Sequence, residues 1–438
     1  LLTYGKIKEN TAFLTAVIFM TTYSINYWVM NQGFTSWGTS LLPLCLIPLV
    51  DLKNDHFPVV KMALSMALMT QIHILTAMML GLIYAPFFIA YARKRWGNAL
   101  VDLAKTIGLY VCLSINVWIS LFLINTGDQL KMPFINPEMS EKAIDLGGSY
   151  WLHFPRILCL LLIVFFLLGL VYWRSIQRFT KQLLVFSGIF FFLSTSLIPW
   201  DWLVAHRVPL ITLIQFPFRF FAPFTVLFLF FIASLIHDLA EKKFLFGGLL
   251  FLSVFSIGQN LQLLTHELNQ WNSQTLESKH TFVRVSEAAA RKSFYSTDLA
   301  KALKAVEKSS PDYLPIYHND TKNKYVSYEK QILNNQTTIS KVVKNNQLEL
   351  SWQANQAGTV QLPIVVYQNT KIVEKGREIT PTTLTNIGEP TIKQKSGKNT
   401  VRVYYDPPNY SYVFFALCSF SWFATLLGCL HHFFKKTG

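Results

Sequence analysis

Charge is the commodity this sequence is shortest of. Asp, Glu, Lys and Arg make up 14% of its 438 residues, against about 25% in ordinary soluble domains. A chain this poor in charge does not read as a water-soluble enzyme or binding module. Cysteine is scarce too. All five, Cys45, Cys112, Cys159, Cys418 and Cys429, fall in apolar segments and none forms a CxxC pair. That excludes a disulfide framework and a cysteine zinc site, and leaves small buried or lipid-facing side chains. The signatures GxxxxGK[ST], HExxH and GxSxG are absent, as are heptads, short-period repeats and the charge runs of a voltage sensor. Acid is scarcer than base, 24 residues against 39, for a net charge of +15. No basic stretch is interleaved with a nucleic-acid motif. The Lys and Arg gather in short loops, as they do on the cytoplasmic side of membrane proteins, so no nucleic-acid partner is expected.

What is present is apolar bulk: 52% of the chain is hydrophobic, and aromatic residues make up 15% of the chain. It falls in blocks matched to a bilayer core of about 30 Å. The expected spans are 11–28, 38–50, 57–70, 74–91, 102–124, 155–173, 180–197, 218–237, 244–262 and 410–434. The run from Val59 to Ala92 exceeds one ordinary span and is interrupted by Thr70-Gln71-Ile72-His73. It is either two short helices meeting there or one long tilted helix.

Basic residues mark alternate loops: Lys6 and Lys8; Lys53; Arg93-Lys94-Arg95; Arg174, Arg178 and Lys181; Lys242-Lys243; Lys435-Lys436. We assign that set to the cytoplasm, which places 263–409 outside. Residues 281–307 have helical composition and an amphipathic pattern, enough for one or two helices. From Tyr325 onward, segments 347–353, 359–367 and 400–405 are β-branched, aromatic and partly alternating, separated by Gly, Asn and Pro. The expected fold class is mainly α: a polytopic transmembrane helical bundle with an inserted extracytoplasmic α+β domain ending in a β-sandwich. Residues 1–262 form the transmembrane domain with about nine spans. The extracytoplasmic helical segment is 263–324, the β-sandwich 325–409, and the final span with its basic tail 410–438. The expected setting is a multi-pass plasma-membrane protein with the bilayer as its first partner.

The polar features collect on the expected outer side. Arg219, framed by Pro and Phe at the head of a span, either snorkels to the headgroups or recognises an anion, since a guanidinium suits bidentate contact with phosphate. Asp201 between Trp200 and Trp202 is either a solvated neighbour of an aromatic belt or a ligand for sugar hydroxyls or a metal. His73 is a ligand or catalytic group, or a hydrogen-bonded structural histidine. Asp128, Glu138, Glu141 and Asp145 belong to a solvated loop that also offers acids or bases. The stretch 208–216 is too short to cross and suits a re-entrant or interfacial helix.

Three of these segments resemble a known family. Ile214-Gln215-Phe216-Pro217-Phe218-Arg219-Phe220 is similar to the QFPWR[FL] signature of the YfhO-like bacterial membrane proteins, whose members also carry the label 6-pyruvoyl-tetrahydropterin synthase-related membrane domain. Leu41-Leu42-Pro43-Leu44, followed by Gln71-Ile72-His73-Ile74-Leu75-Thr76, is similar to that family's LPL and THxLT region. Asp312-Tyr313-Leu314-Pro315 is similar to its EYLP motif. The order agrees and the resemblance covers nearly the whole chain. Phe218 stands where the family has Trp, and the family's additional N-terminal spans and acidic first outer loop have no counterpart here. The chain opens Leu1-Leu2 with neither Met nor a signal-peptide pattern, so we expect it to begin partway into a longer protein.

The resemblance implies a GT-C-type fold and a membrane glycosyltransferase. Such an enzyme moves a sugar from a polyprenyl-phosphate donor to a cell-envelope glycan or a cell-wall or teichoic-acid-like polymer, outside the cytoplasm. The first-loop carboxylate would activate the acceptor hydroxyl. On this chain Arg219 and Arg207 are candidates for the donor phosphate, and Trp200, Asn31, Gln32, Gln215 and Tyr313 for sugar or acceptor. His73 and Asp201 are the catalytic candidates. The synthase label implies no zinc chemistry, because His73, His153 and His206 lack metal-ligand spacing. The one cofactor candidate is a divalent cation, Mg or Mn. Two other classes compete: a transporter or flippase for a lipid-linked substrate, which calls for internal repeats and polar residues at mid-membrane depth, and a non-catalytic scaffold whose outer β-domain binds a partner.

Overall fold

The computed structural model describes residues 1–22, 24–26, 35–131, 135–144, 156–209, 211–240, 242–272, 281–309, 311–317, 323–335 and 338–437. The described chain is mainly helical and divides into two compact units: Leu1–Val117 with Phe134–Leu268 and Phe415–Gly438, and Trp118–Pro133 with Asn269–Phe414.

The first unit is a helical bundle. Its helices begin with α1 (Glu9–Met20), α2 (Thr35–Cys45), α3 (Ile47–Lys53), α4 (Val59–Ile72), α5 (Ile74–Ala92) and α6 (Trp96–Gly127). They continue with α7 (Arg156–Val171), α8 (Arg178–Leu193), the short α9 (Trp200–Ala205) and α10 (Ile211–Ile214), α11 (Phe221–Asp238), α12 (Lys243–Asn272) and, at the end of the chain, α16 (Asn409–Thr437). Five segments are long and apolar enough to cross a membrane: Ile74–Ala92, Trp96–Gly127, Pro217–Asp238, Lys243–Gln270 and Asn409–Lys435. Glu9–Met20, Val59–Ile72 and Leu161–Val171 are apolar but shorter. The protein is thus consistent with a multi-pass membrane protein in a lipid bilayer.

Helix α11 is the axis of the bundle. Every side chain from Phe221 to Ile236 is buried, as expected of a helix that is apolar all round. Gly169 lets α7 approach it closely. A Cβ there would sit 2.5 Å from the Phe231 ring and 2.9 Å from Leu184.

Two expected spans are reshaped by local chemistry. Segment 38–50 is two helices, because Pro48 opens α3 at its first turn, where its missing N–H costs nothing. The Val59–Ala92 run is also two helices, broken at His73, which is extended at φ −161° and caps α5 by accepting from the Thr76 amide. Side chains stitch the spans. Gln71 and Asn116 exchange amide hydrogen bonds of 2.7 and 3.0 Å. The Leu113 carbonyl accepts from Trp422 Nε1 at 2.8 Å, which ties α16 to α6. Such contacts replace the hydrophobic driving force that lipid does not supply.

The second unit holds the sheets. Strands β1 (Thr281–Val283) and β2 (Val306–Lys308) pair antiparallel and frame the helices α13 (Glu287–Phe294) and α14 (Leu299–Ala305); the short α15 (Lys324–Tyr328) follows. One or two helices were expected over 281–307 and two are present; the strands beside them are three residues each, too short to show a period. A five-stranded antiparallel sheet follows in the order β3 (Ser340–Lys344), β4 (Gln347–Ala354), β10 (Gly397–Tyr405), β6 (Thr370–Glu374) and β7 (Arg377–Glu378). A three-stranded sheet has the order β5 (Gly358–Gln361), β9 (Pro390–Gln394), β8 (Thr383–Leu384). Alternation does what it should: Leu350, Trp352 and Ala354 on β4 and Val401 and Val403 on β10 are buried, and they share one core with Val360 and Ile392 of the smaller sheet. Asn345 and Asn346 both have positive φ and make the two-residue hairpin between β3 and β4. The strand expected over 359–367 stops at Gln361, two residues before Pro363, which has no N–H for a ladder.

Candidate functional site

The candidate residues of the bundle gather where α4 ends and α11 begins. Between α8 and α11 the chain does not cross but folds back on itself. Ser194 and Thr195 are buried, and Thr195 makes a parallel bridge with Ile144. The helix α9 then carries Trp200, Asp201 and Trp202. Asp201 Oδ1 accepts from the Ser140 amide at 2.8 Å, which pins the 3₁₀ turn Met139–Lys142 against α9. Asn136 closes the same cap from the other side, donating to the Gln215 carbonyl at 3.0 Å.

The Gln-Phe-Pro-Phe-Arg-Phe segment owes its shape to two residues. Gln215 takes φ +57°, a left-handed conformation that turns the chain. Pro217 then starts a 3₁₀ turn, Pro217–Phe220, that runs straight into α11. The turn swings Arg219 back over its own approach. Its Nη1 donates to the Ile214 carbonyl at 3.0 Å and to Gln215 Oε1 at 3.2 Å, and the guanidinium lies 4.8 Å from the centre of the Phe216 ring. Held by these contacts and half-buried, the cation has lost most of the rotamer freedom of an exposed arginine. Arg219 also lies within electrostatic reach of His73. The imidazole Nδ1 is occupied by the helix cap: it is 2.8 Å from the Thr76 hydroxyl and accepts the Thr76 amide at 3.4 Å. That arrangement puts the ring proton on Nε2. Gly38 packs against the same Thr76, where a Cβ would approach to 2.8 Å.

The first half of α11 also lines an apolar cavity of about 280 Å3, formed by Leu162, Ile163 and Phe166 of α7, Gly188 and Phe191 of α8, and Phe221, Phe224 and Phe228 of α11. It begins two residues after Arg219 and descends two turns of α11.

The remaining candidates divide. Trp200 is a core residue, 2% exposed. Its ring stacks on Phe220 at 6.1 Å and its Nε1 donates to the Thr195 carbonyl. The exposed aromatic of the pair is Trp202, 56% exposed and stacked on His206 at 4.2 Å. Which member of the pair is open to solvent depends on the turn of α9, which the sequence alone does not show. Arg207 is exposed, with φ +51°. Glu138 and Glu141 are exposed on the cap. Tyr313 belongs to the second unit, where it is 54% exposed with φ +60°. In that unit Asp128 is structural: it accepts from the Gln368 amide at 2.9 Å and from the Tyr317 hydroxyl at 3.4 Å. Asn31, Gln32, Asp145 and His153 lie outside the described residues. Among the described residues no three His, Cys, Asp or Glu side chains converge as metal ligands.

No protein-family model matches the chain, and neither a curated protein nor a solved structure matches it.

Proposed function

We propose that the bundle is a GT-C-like membrane domain that binds a polyprenyl-phosphate-linked sugar, and that the protein acts as a glycosyltransferase toward an envelope polymer. The observation that carries this reading is the pairing of Arg219, a cation preorganised by its bonds to Ile214 and Gln215, with a phenylalanine-lined cavity whose Phe221 follows it by two residues in the chain. A lipid phosphate needs those two things together: a cation for its head and a groove for its chain. At about 280 Å3 the cavity sits at the small end of ligand pockets, so it suits the first isoprene units and leaves the remainder of the chain to the bilayer. The arginine segment is also the one that resembles the YfhO-like signature.

In this reading Arg219 pairs with the donor phosphate and stabilises the charge that builds on it as the sugar leaves. Arg207, exposed on the same cap, is a second contact. Asp201 and His73 are the candidates to take the acceptor proton. Asp201, exposed and oriented by the Ser140 amide, is the one suited to take it; His73, with Nδ1 engaged by Thr76, offers an Nε2–H that donates to the sugar or phosphate instead. Trp202, with its open face, stacks the sugar in place of Trp200. The basic loops lie in the cytoplasm, which puts this cap and the second unit outside, and we read the two sheets of that unit as a β-sandwich that holds the acceptor.

The test is retention of undecaprenyl phosphate by the purified full chain, followed by native mass spectrometry. Arg219→Ala should lower retention at least tenfold, since a charge-assisted bidentate contact contributes about 1.5–3 kcal/mol, while leaving the thermal unfolding of the bundle in place. Equal retention by the variant and the parent protein overturns the phosphate role.

A further inference from the structure

A second cavity of the bundle, about 240 Å3, opens at the opposite ends of the spans. Its walls come from three helices: Lys53 ends α3, Phe87, Tyr91 and Lys94 lie at or just past the end of α5, and Arg178 and Phe179 begin α8. Phe87, Tyr91 and Phe179 are buried and make an apolar floor. The three cations are exposed at the mouth. Lys53 Nζ stands 5.2 Å from the Phe179 ring centre, over the floor.

One acid lines the cavity, Asp55. It pairs with Lys94 at 2.9 Å, and its carboxyl is held below the ordinary carboxylate range by Lys94 first, with Arg95 and Arg178 adding to the field. Asp238, at the same end, accepts from the Gln177 amide at 2.9 Å and the Thr180 hydroxyl at 2.7 Å, capping α8. Among the described residues Lys94 takes the salt bridge to Asp55, and Lys53 and Arg178 add positive charge at the mouth that no salt bridge takes up.

We propose that this cavity binds the phosphate of an anionic phospholipid headgroup. Three features point to a lipid. The charges sit at the end of a membrane-crossing segment, Ile74–Ala92, at the level where lipid phosphates lie. Basic pockets between span ends are the sites where acidic headgroups collect. The aromatic floor suits the glycerol and first acyl carbons that follow the phosphate into the bilayer. A soluble phosphate would make no use of that floor.

The experiment uses the full chain, delipidated in neutral detergent and titrated with phosphatidylglycerol or phosphatidylcholine under native mass spectrometry. Phosphatidylglycerol should bind at least tenfold more tightly. The double variant Lys53→Gln with Arg178→Gln should bring that preference to within twofold of unity. Lys105→Gln, which removes an exposed charge paired with Asp102 elsewhere on the bundle, should leave it intact and controls for general surface charge. Equal binding of the two lipids by the parent protein overturns the proposal, as does a preference that survives the double variant or that Lys105→Gln removes as fully. Millimolar inorganic phosphate should not displace the lipid. Displacement would assign the site to a free phosphate and overturn the lipid reading. If the double variant does not fold, Lys53→Gln alone should lower the preference at least threefold, and an unchanged value counts against the site.

Discussion

Glu389 offers the sharpest physical test of the second unit. It is 1% exposed, and Asn335 Nδ2 donates to it at 3.1 Å. Around it Thr385, Gln331 and Asn386 bond to one another: the Thr385 hydroxyl donates to Gln331 Oε1 at 2.8 Å and accepts the Glu389 amide at 3.0 Å. Burial pushes the carboxyl up from 4.5 to about 7, with the Asn335 hydrogen bond pulling the other way. Folding therefore favours the protonated acid. Below about pH 4.5 both folded and unfolded chains hold the proton and the unit has its full stability. As the pH rises toward 7 the unfolded chain ionises first, so stability falls, and above 7 the loss is complete. That range of titration corresponds to about 3 kcal/mol, a large share of what a domain has to lose. Glu389→Gln keeps the shape and removes the proton. It should abolish the slope, match the parent protein near pH 4.5 and exceed its stability by up to about 3 kcal/mol near pH 8. Hydrogen exchange of β4 and β10 in the full chain, corrected for the intrinsic pH dependence of exchange, reads local opening of this unit. A parent protein whose opening free energy is flat between about pH 5 and pH 8, or a variant that keeps the slope, refutes the reasoning.

Other perturbations test the bundle. Gly169→Ala drives a methyl into the Phe231 ring and Leu184 and should cost about 1–3 kcal/mol as overpacking; an unchanged unfolding temperature in detergent would show that α7 has room to move. In a double-mutant cycle, Gln71→Leu and Asn116→Leu should couple by about 0.6 kcal/mol, with about 1.7 as the ceiling for such pairs in membranes. Additive effects in urea or detergent titrations would mean that the reciprocal amide bonds contribute nothing. Asp201→Asn keeps an acceptor for the Ser140 amide and should leave folding unchanged while abolishing sugar transfer; full turnover removes Asp201 from the proton-taking candidates.

The long apolar segments were legible because a span is a local property: about twenty apolar residues decide it wherever they occur. The break at His73 was legible as one of two readings. Its outcome rested on a side chain that caps the following helix, which composition does not record. The sheets were legible from alternation, but β1 and β2 were not, and Pro363 cut one strand short of its apolar run. The role of Asp128 was hidden because its partners, Gln368 and Tyr317, lie far along the chain. The same holds for Glu389, an ordinary loop acid by sequence.

By itself the sequence determined the long apolar segments that suit a lipid bilayer and the polar, partly β region between them, since hydropathy and strand alternation act over neighbouring residues. The tertiary structure decided the chemistry. It buried Trp200 and opened Trp202. It folded Arg219 back onto Ile214 and Gln215, and it gathered Lys53, Lys94 and Arg178 from three parts of the bundle into one mouth. Sites of that kind depend on distances between residues remote in sequence, and only packing sets those distances.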